Sequence, residues 1–323
     1  MRSIDLICPV CKSAILPVDD EKTLRCSGNA AHIFPIVRDV PILINDSNSV
    51  FAISDYHSQP TPLEVISSGM YNSHDERMEL SFIRRQYRKI AQFLTNFTVR
   101  SSRIHATDAF SMVAKDVSNP LILILGAGES RYDFPERATC VYTDIAISDG
   151  VKYVCDAHDL PFSDEDFDLV IADAVFEHVA DPYRVAEEIY RVLGPSGCVY
   201  ATTPFMQPIH LGVYDFTRFT YAGYRRLFRR FDEICLEPVL GPGCSLGYAM
   251  QYFLMSFSSR RNVRSVLNLV GLTMSLPWKY FDKVLLKQKS ALSYAAGYAF
   301  IGRKSDRTLS DRELVQAFAA RIM

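Results

Sequence analysis

Four short segments, in a fixed order within residues 121–179, constrain this chain more than anything else in it: LILILGAGES, VYTD, CDAHDLPF and FDLVIADAVFEHV. Pro120 ends whatever precedes the first, and the apolar run LILIL reads as a short strand buried on both faces. Gly126 and Gly128 follow; without a β-carbon they permit a tight turn and let a ligand approach the backbone. Eighteen residues beyond Gly126 the second strand ends in Asp144, the spacing at which a βαβ unit sets an acidic side chain against a ribose. A third strand, at 152–155, is followed by Asp156, whose carboxylate is placed to accept from an exocyclic amino group while the amide of Ala157 donates to the ring. Together these segments describe a nucleoside pocket at the carboxyl edge of a parallel sheet.

A dinucleotide is the usual occupant of such a pocket, but its fingerprint wants a third glycine beneath the pyrophosphate, and Arg131 stands there. The set as a whole resembles the class I S-adenosylmethionine-dependent methyltransferases over residues 121–231. That resemblance implies an α/β fold, a Rossmann-like seven-stranded sheet with helices on both faces. It also implies S-adenosylmethionine as cofactor, held by Gly126, Gly128, Asp144, Asp156 and Ala157. Two positions depart from the family pattern. Ile124 replaces the acid that helps hold the methionine ammonium, a role left to Asp173 at the end of the fourth strand or to Glu129, and Ser130 replaces a small residue of the glycine loop.

Downstream, in DPYRVAEEIYRVLGPSGCVYATTPF, Asp181 is placed as an N-cap, Pro182 fits the first helical turn, and Val185, Ile189 and Val192 form one apolar stripe. The stretch PFMQPIHLGVYDFTRFTYAGYRRLF is similar to a branch of these enzymes often found with polysaccharide or other cell-surface glycan synthesis. Methyl transfer to a hydroxyl requires a base, and candidates belong beyond the carboxyl ends of the strands. His178, in FEHV, is either catalytic or structural; His210 is either a base or substrate contact, or a loop histidine bonded to backbone. Tyr214, Asp215 and Arg218 lie nearby as substrate contacts, the last two serving either to orient His210 or to staple the loop.

The N-terminal segment carries a separate signal. Cys8 and Cys11 form a CxxC knuckle, Cys26 returns after a polar turn, and His32 is the other soft ligand close by. Three thiolates and an imidazole complete a tetrahedral zinc site, and a piece this small needs such a staple. The segment resembles the zinc-ribbon activator domains of transfer RNA methyltransferases, most closely in FPIVRDVPILI. The alternative is a metal-free ribbon held by packing. The remaining cysteines, Cys140, Cys155, Cys198, Cys235 and Cys244, lie singly and read as small buried hydrophobes.

These signals divide the chain into a zinc ribbon at 1–45, a linker and helical connector at 46–118, a methyltransferase domain at 119–305 with a helical insertion at about 244–294, and a tail helix at 306–323. In the connector, Leu80, Ile83, Tyr87, Ile90, Leu94 and Phe97 make an apolar helical stripe. Across 247–294 seven basic residues face one acid, Asp282, among many aromatic and aliphatic side chains. That pattern suits either a lid over the site or contact with an anionic membrane. The last strand, at 295–303, is expected beside 231–238. A net charge of −2 speaks against a generally basic nucleic-acid binder; with no basic, apolar leader and no run of about 18 apolar residues, a cytoplasmic protein is expected, with the insertion able to touch the cytoplasmic face of a membrane. The expected activity is O-methylation of a small-molecule, glycan or lipid-linked acceptor. The rivals are an RNA methyltransferase that grips substrate through the ribbon and a non-catalytic scaffold.

Overall fold

The computed structural model describes residues 4–18, 22–57, 104–128 and 130–322. The stripe from Leu80 to Phe97, and Glu129, lie outside them.

The sheet is organised around β5 (Leu121–Leu125), in which every residue is buried. Its side chains alternate between two cores. Leu121, Leu123 and Leu125 join one cluster, and Ile122 and Ile124 join the other. This is the pattern of a strand covered on both faces. The first core receives Val185, Ile189 and Val192 from α2 (Pro182–Val192), and the second receives Ala109, Phe110 and Val113 from α1 (Ala106–Val113). The expected cap of α2 is present: the Asp181 carboxylate accepts from the Arg184 amide at 3.1 Å, and Pro182 occupies the first turn.

Parallel to β5 run β6 (Thr139–Asp144) and β7 (Tyr153–Cys155) on one side, and β8 (Phe167–Asp173) and β9 (Leu193–Pro204) on the other. Then β11 (Gly297–Lys304) lies between β9 and β10 (Phe231–Leu240), antiparallel to both. The expected return of the last strand beside the 231–238 segment is met. These seven strands give the order β7-β6-β5-β8-β9-β11-β10. The sheet does not stop there.

Four N-terminal strands, β1 (Ile15–Pro17), β2 (Thr23–Cys26), β3 (Ile33–Val37) and β4 (Val40–Leu43), continue it to eleven, because β4 pairs in parallel with β7 through Ile42↔Val154 and Leu43↔Cys155. The expectation of a seven-stranded sheet preceded by a small separate ribbon is corrected to this extent. The physical reason is the outer edge of the three-residue β7, whose backbone groups need a partner. Polar contacts reinforce the join. Lys12 crosses to Glu188 of α2 at 3.2 Å and to the Leu160 carbonyl at 3.5 Å, and Arg191 holds the Glu188 carboxylate in place from its own helix.

The insertion forms a hairpin of α4 (Pro242–Met255) and α5 (Arg261–Leu285). The helices cross closely: a β-carbon on Gly243 would lie 1.9 Å from the Trp278 carbonyl oxygen. No side chain at its own N-cap serves α4. Asp282 of α5 does so instead, accepting from the amides of Gly243 at 2.7 Å and Cys244 at 2.9 Å. A tail helix, α6 (Asp311–Ile322), packs against α3 (Tyr221–Leu227), with the Tyr221 and Phe318 rings stacked at 5.0 Å. No helix among the described residues is long and apolar enough to cross a membrane.

Replacing Asp282 with Ala strands two buried amides and is expected to cost roughly 2–3 kcal/mol in urea denaturation and to open the hairpin to proteolysis, with Asp282→Asn recovering part of the loss. Unchanged stability in Asp282→Ala would contradict this account of the α4 N-terminus.

Candidate active site

Beyond the carboxyl ends of β5, β6 and β7 the chain leaves a cleft of about 190 Å³. Gly126 and Gly128 turn there with φ of +59° and +49°. Only glycine adopts such angles without cost, and a β-carbon on Gly126 would meet Val175 at 2.8 Å. Asp144 fastens this turn. One carboxylate oxygen accepts from the Gly128 amide at 2.7 Å, the other from the Ala146 amide at 2.8 Å. Burial pushes the Asp144 carboxyl above its ordinary value against the pull of those amides.

Asp156 also meets the cleft, but its carboxylate is more heavily engaged than its position after a strand suggests. Oδ1 takes the Nδ1–H of His158 at 2.5 Å and the His158 amide at 3.0 Å, and Oδ2 takes the Ser49 hydroxyl. Because His158 Nε2 accepts from the Asp181 amide at 3.0 Å, its proton sits on Nδ1. Burial raises the Asp156 carboxyl, yet the bonds from His158 and Ser49 outweigh it and the net shift is downward. Ala157 lines the cleft beside it.

Two expected cofactor residues stand slightly apart. Gly128 is spent on Asp144, and Asp173 accepts from the hydroxyls of Thr202 and Tyr132; neither is part of the cleft wall. The roof comes from residues that no sequence pattern marked. Val50 and Phe51 reach over from the segment after β4, and the Phe51 ring meets Tyr214 with centroids 5.3 Å apart. Asn45 secures this arm by donating to Asp159 at 2.9 Å.

His178 forms part of the cleft wall and touches His210. Its Nδ1 donates to the Tyr214 carbonyl at 2.7 Å, and its Nε2 lies 3.1 Å from Nε2 of His210. Burial depresses both imidazoles below their ordinary value. Asp215 accepts from the His210 amide at 2.7 Å and stands 3.5 Å from His210 Nδ1, while Arg218 grips the same carboxylate and the Pro208 carbonyl. Asp215 and Arg218 therefore fasten the loop that carries His210. Under the two imidazoles sits Glu177, wholly buried, its carboxylate oxygens without a hydrogen-bond donor from any other described residue. Burial pushes its carboxyl up to about 8, against the pull of its own backbone amide and of the nearby Arg218 charge. Its position directly before His178 was the signal that sequence reasoning passed over.

On the far side of His210 a second cavity of about 200 Å³ lies between the 207–210 loop and the helical hairpin. Tyr248, Tyr252 and Leu272 supply apolar wall, and Lys279, only 4% exposed, supplies a buried amine whose affinity for a proton burial lowers.

In the N-terminal segment, Cys8, Cys11, Cys26 and His32 bring their donor atoms within 4.8 Å of one another. Cys11 and Cys26 sulfurs are 3.3 Å apart, well beyond a disulfide bond, and His32 Nδ1 lies 3.4 Å from Cys8. Bonds from Ser13 lower the Cys11 thiol to about 6, while burial raises Cys8 to about 12. The other five cysteines are also free thiols, three of them buried.

Residues 133–201 match the family described as "Methyltransferase domain". Over 70 residues, 21% of this chain, the sequence is 41% identical to the ubiquinone/menaquinone biosynthesis C-methyltransferase UbiE of Desulfotalea psychrophila. That stretch covers 27% of the curated relative's own length. Among solved structures, the chain is similar to the 1,6-didemethyltoxoflavin-N1-methyltransferase of Burkholderia thailandensis, solved with S-adenosylhomocysteine (12% identity, 86% of this chain and 97% of that one, TM-score 0.41). It is also similar to phosphoethanolamine N-methyltransferase 2 of Haemonchus contortus, solved with S-adenosyl-L-methionine (15% identity, 68% and 56%, TM-score 0.39). At such scores these likenesses add nothing to the reading of the site, which rests on its own residues.

Proposed function

We propose that the chain is an S-adenosylmethionine-dependent methyltransferase that methylates a hydroxyl of a lipid-linked acceptor. The observation that carries this reading is the cleft itself, with a glycine turn pinned by Asp144, the Asp156–Ala157 edge across from it, and His178 on its wall with His210 behind it. The family match over 133–201 supports it. The residues fit the cofactor: Gly126 leaves backbone bare for an amino-acid tail, Asp144 has lone pairs left for ribose hydroxyls, and the Ala157 amide with the second lone pairs of Asp156 reads an adenine. When bound, the cofactor supplies an electrophilic methyl group.

The protein's own part is to align the acceptor, exclude water and take a proton. His178 is suited to the last task. Its Nδ1–H is committed to the Tyr214 carbonyl, so in the neutral ring Nε2 carries a lone pair, and burial keeps the ring neutral near pH 7. His210, held by Asp215, stands between that nitrogen and the second cavity.

The second cavity suits the acceptor. A buried ammonium in an aromatic pocket calls for an anionic group, such as the phosphate of a lipid carrier. The hairpin beside it also exposes Phe253, Phe257 and Val266 to 64%, 70% and 63%, close to Arg260, Arg261 and Arg264. Apolar surface of that extent next to basic residues favours an anionic lipid surface, with the hairpin lying on it. Incubating the protein with methyl-labelled S-adenosylmethionine and a cell extract should place label in the lipid-extractable fraction, stable to mild acid as an ether is. Label confined to RNA or protein would overturn the acceptor assignment.

The N-terminal cluster fits a structural zinc ion, since its donor set is three thiols and an imidazole gathered within 4.8 Å. Cys26→Ser is then expected to release one zinc per chain, read by elemental analysis, and to lower the melting temperature by about 5 °C or more. Unchanged zinc content would contradict the assignment.

A further inference from the structure

We propose that Glu177, His178 and His210 form a binding site for a divalent first-row transition-metal ion, set in the partition between the cleft and the second cavity. The three donor atoms converge. His178 Nε2 and His210 Nε2 are 3.1 Å apart, and Glu177 Oε1 lies 3.8 Å from the first and 3.7 Å from the second. Donors about 2.1 Å from one ion lie about 3.0 Å apart at right angles and about 3.6 Å apart at 120°, so the observed triangle needs only small movements to close on a common centre.

Glu177 is what a histidine pair alone leaves unexplained. It is 0% exposed, its oxygens meet no hydrogen-bond donor from any other described residue, and it points at the two ring nitrogens from beyond hydrogen-bond range. A buried carboxyl in that condition either keeps a proton or gives it up to a cation that takes the proton's place. An ion at the centre of the triangle answers Glu177 and occupies both imidazole lone pairs together.

The surroundings agree. Histidines that bind a metal donate their other ring N–H to a carbonyl or carboxylate, which fixes the ring. His178 Nδ1 faces the Tyr214 carbonyl at 2.7 Å, and His210 Nδ1 faces Asp215 at 3.5 Å. Asp215 is in turn held by Arg218. Two imidazoles and one carboxylate select a transition metal over calcium or magnesium, and three protein ligands leave positions open. Those positions face both cavities, since His178 lines one and His210 the other, and the His210 side chain is 45% exposed. An acceptor hydroxyl bound to the ion would lose its proton more readily to solvent, so in the metal-loaded protein the ion takes over the task of His178 Nε2, whose lone pair it occupies. That role for the ion rests on the methyl-transfer reading, whereas the binding of the ion does not.

Manganese is the probe, because a three-thiolate ribbon already filled with zinc does not take it. Mn²⁺ titrated into the full chain carrying one equivalent of zinc, as fixed by elemental analysis, and followed by the electron paramagnetic resonance of the free ion should reveal one saturable site per chain. Glu177→Gln and the more exposed His210→Ala should each weaken it at least about tenfold, with zinc content and circular dichroism unchanged. No saturable Mn²⁺ in the parent protein, or equal affinity in both variants, overturns the site. A parallel titration with S-adenosylmethionine separates the two claims. Donor binding without Mn²⁺ binding removes only the metal site, and Mn²⁺ binding without donor binding leaves the site standing and removes the methyl-transfer reading.

Discussion

The site depends on one carboxylate. Asp144 ends β6 and spends its two oxygens on the amides of Gly128 and Ala146, so the turn leaving β5 and the turn leaving β6 are tied to a single side chain. Parallel pairing alone would align the two strands, as Leu123↔Val141 and Ile124↔Tyr142 do, but it would leave the loops beyond them free. With Asp144 in place the positive-φ turn at Gly126 is held where its backbone faces the cleft, and the floor of the site becomes a rigid feature of the sheet.

The N-terminal segment then completes what the sheet begins. Pairing of β4 with β7 covers an exposed edge and delivers the following residues to the mouth of the cleft. Ser49 binds Asp156, Asn45 binds Asp159, and Phe51 closes over Tyr214. The N-terminal strands are thereby joined to the site through the short turn at 45–49, and whatever stabilises those strands also stabilises the roof.

Local features were legible in the sequence. The LILIL strand, the Asp181 cap with its Val185–Ile189–Val192 stripe, the glycine turn and the helical insertion follow from periodicity and from residue types with narrow conformational habits, and each is found where it was expected. What escaped was long-range. The eleven-stranded continuation, the Ser49–Asp156 bond across 107 residues and the Phe51–Tyr214 contact leave no periodic trace, because neither partner is unusual in its own neighbourhood. Glu177 was hidden differently. In FEHV it reads as an ordinary acidic residue on a loop, and only its complete burial beneath two imidazoles gives it meaning. Asp156 differs again: its place after a strand shows in the sequence, but its engagement by His158 depends on a tautomer that only the Asp181 amide reveals.

Calorimetric titration with S-adenosylmethionine tests most directly whether the cleft organised by Asp144 holds that cofactor. The parent protein should bind the cofactor saturably at one site per chain, and Asp144→Ala, which frees the glycine turn and removes the ribose acceptor, should weaken binding at least about tenfold. No binding to the parent protein, or undiminished binding to Asp144→Ala, would contradict that reading.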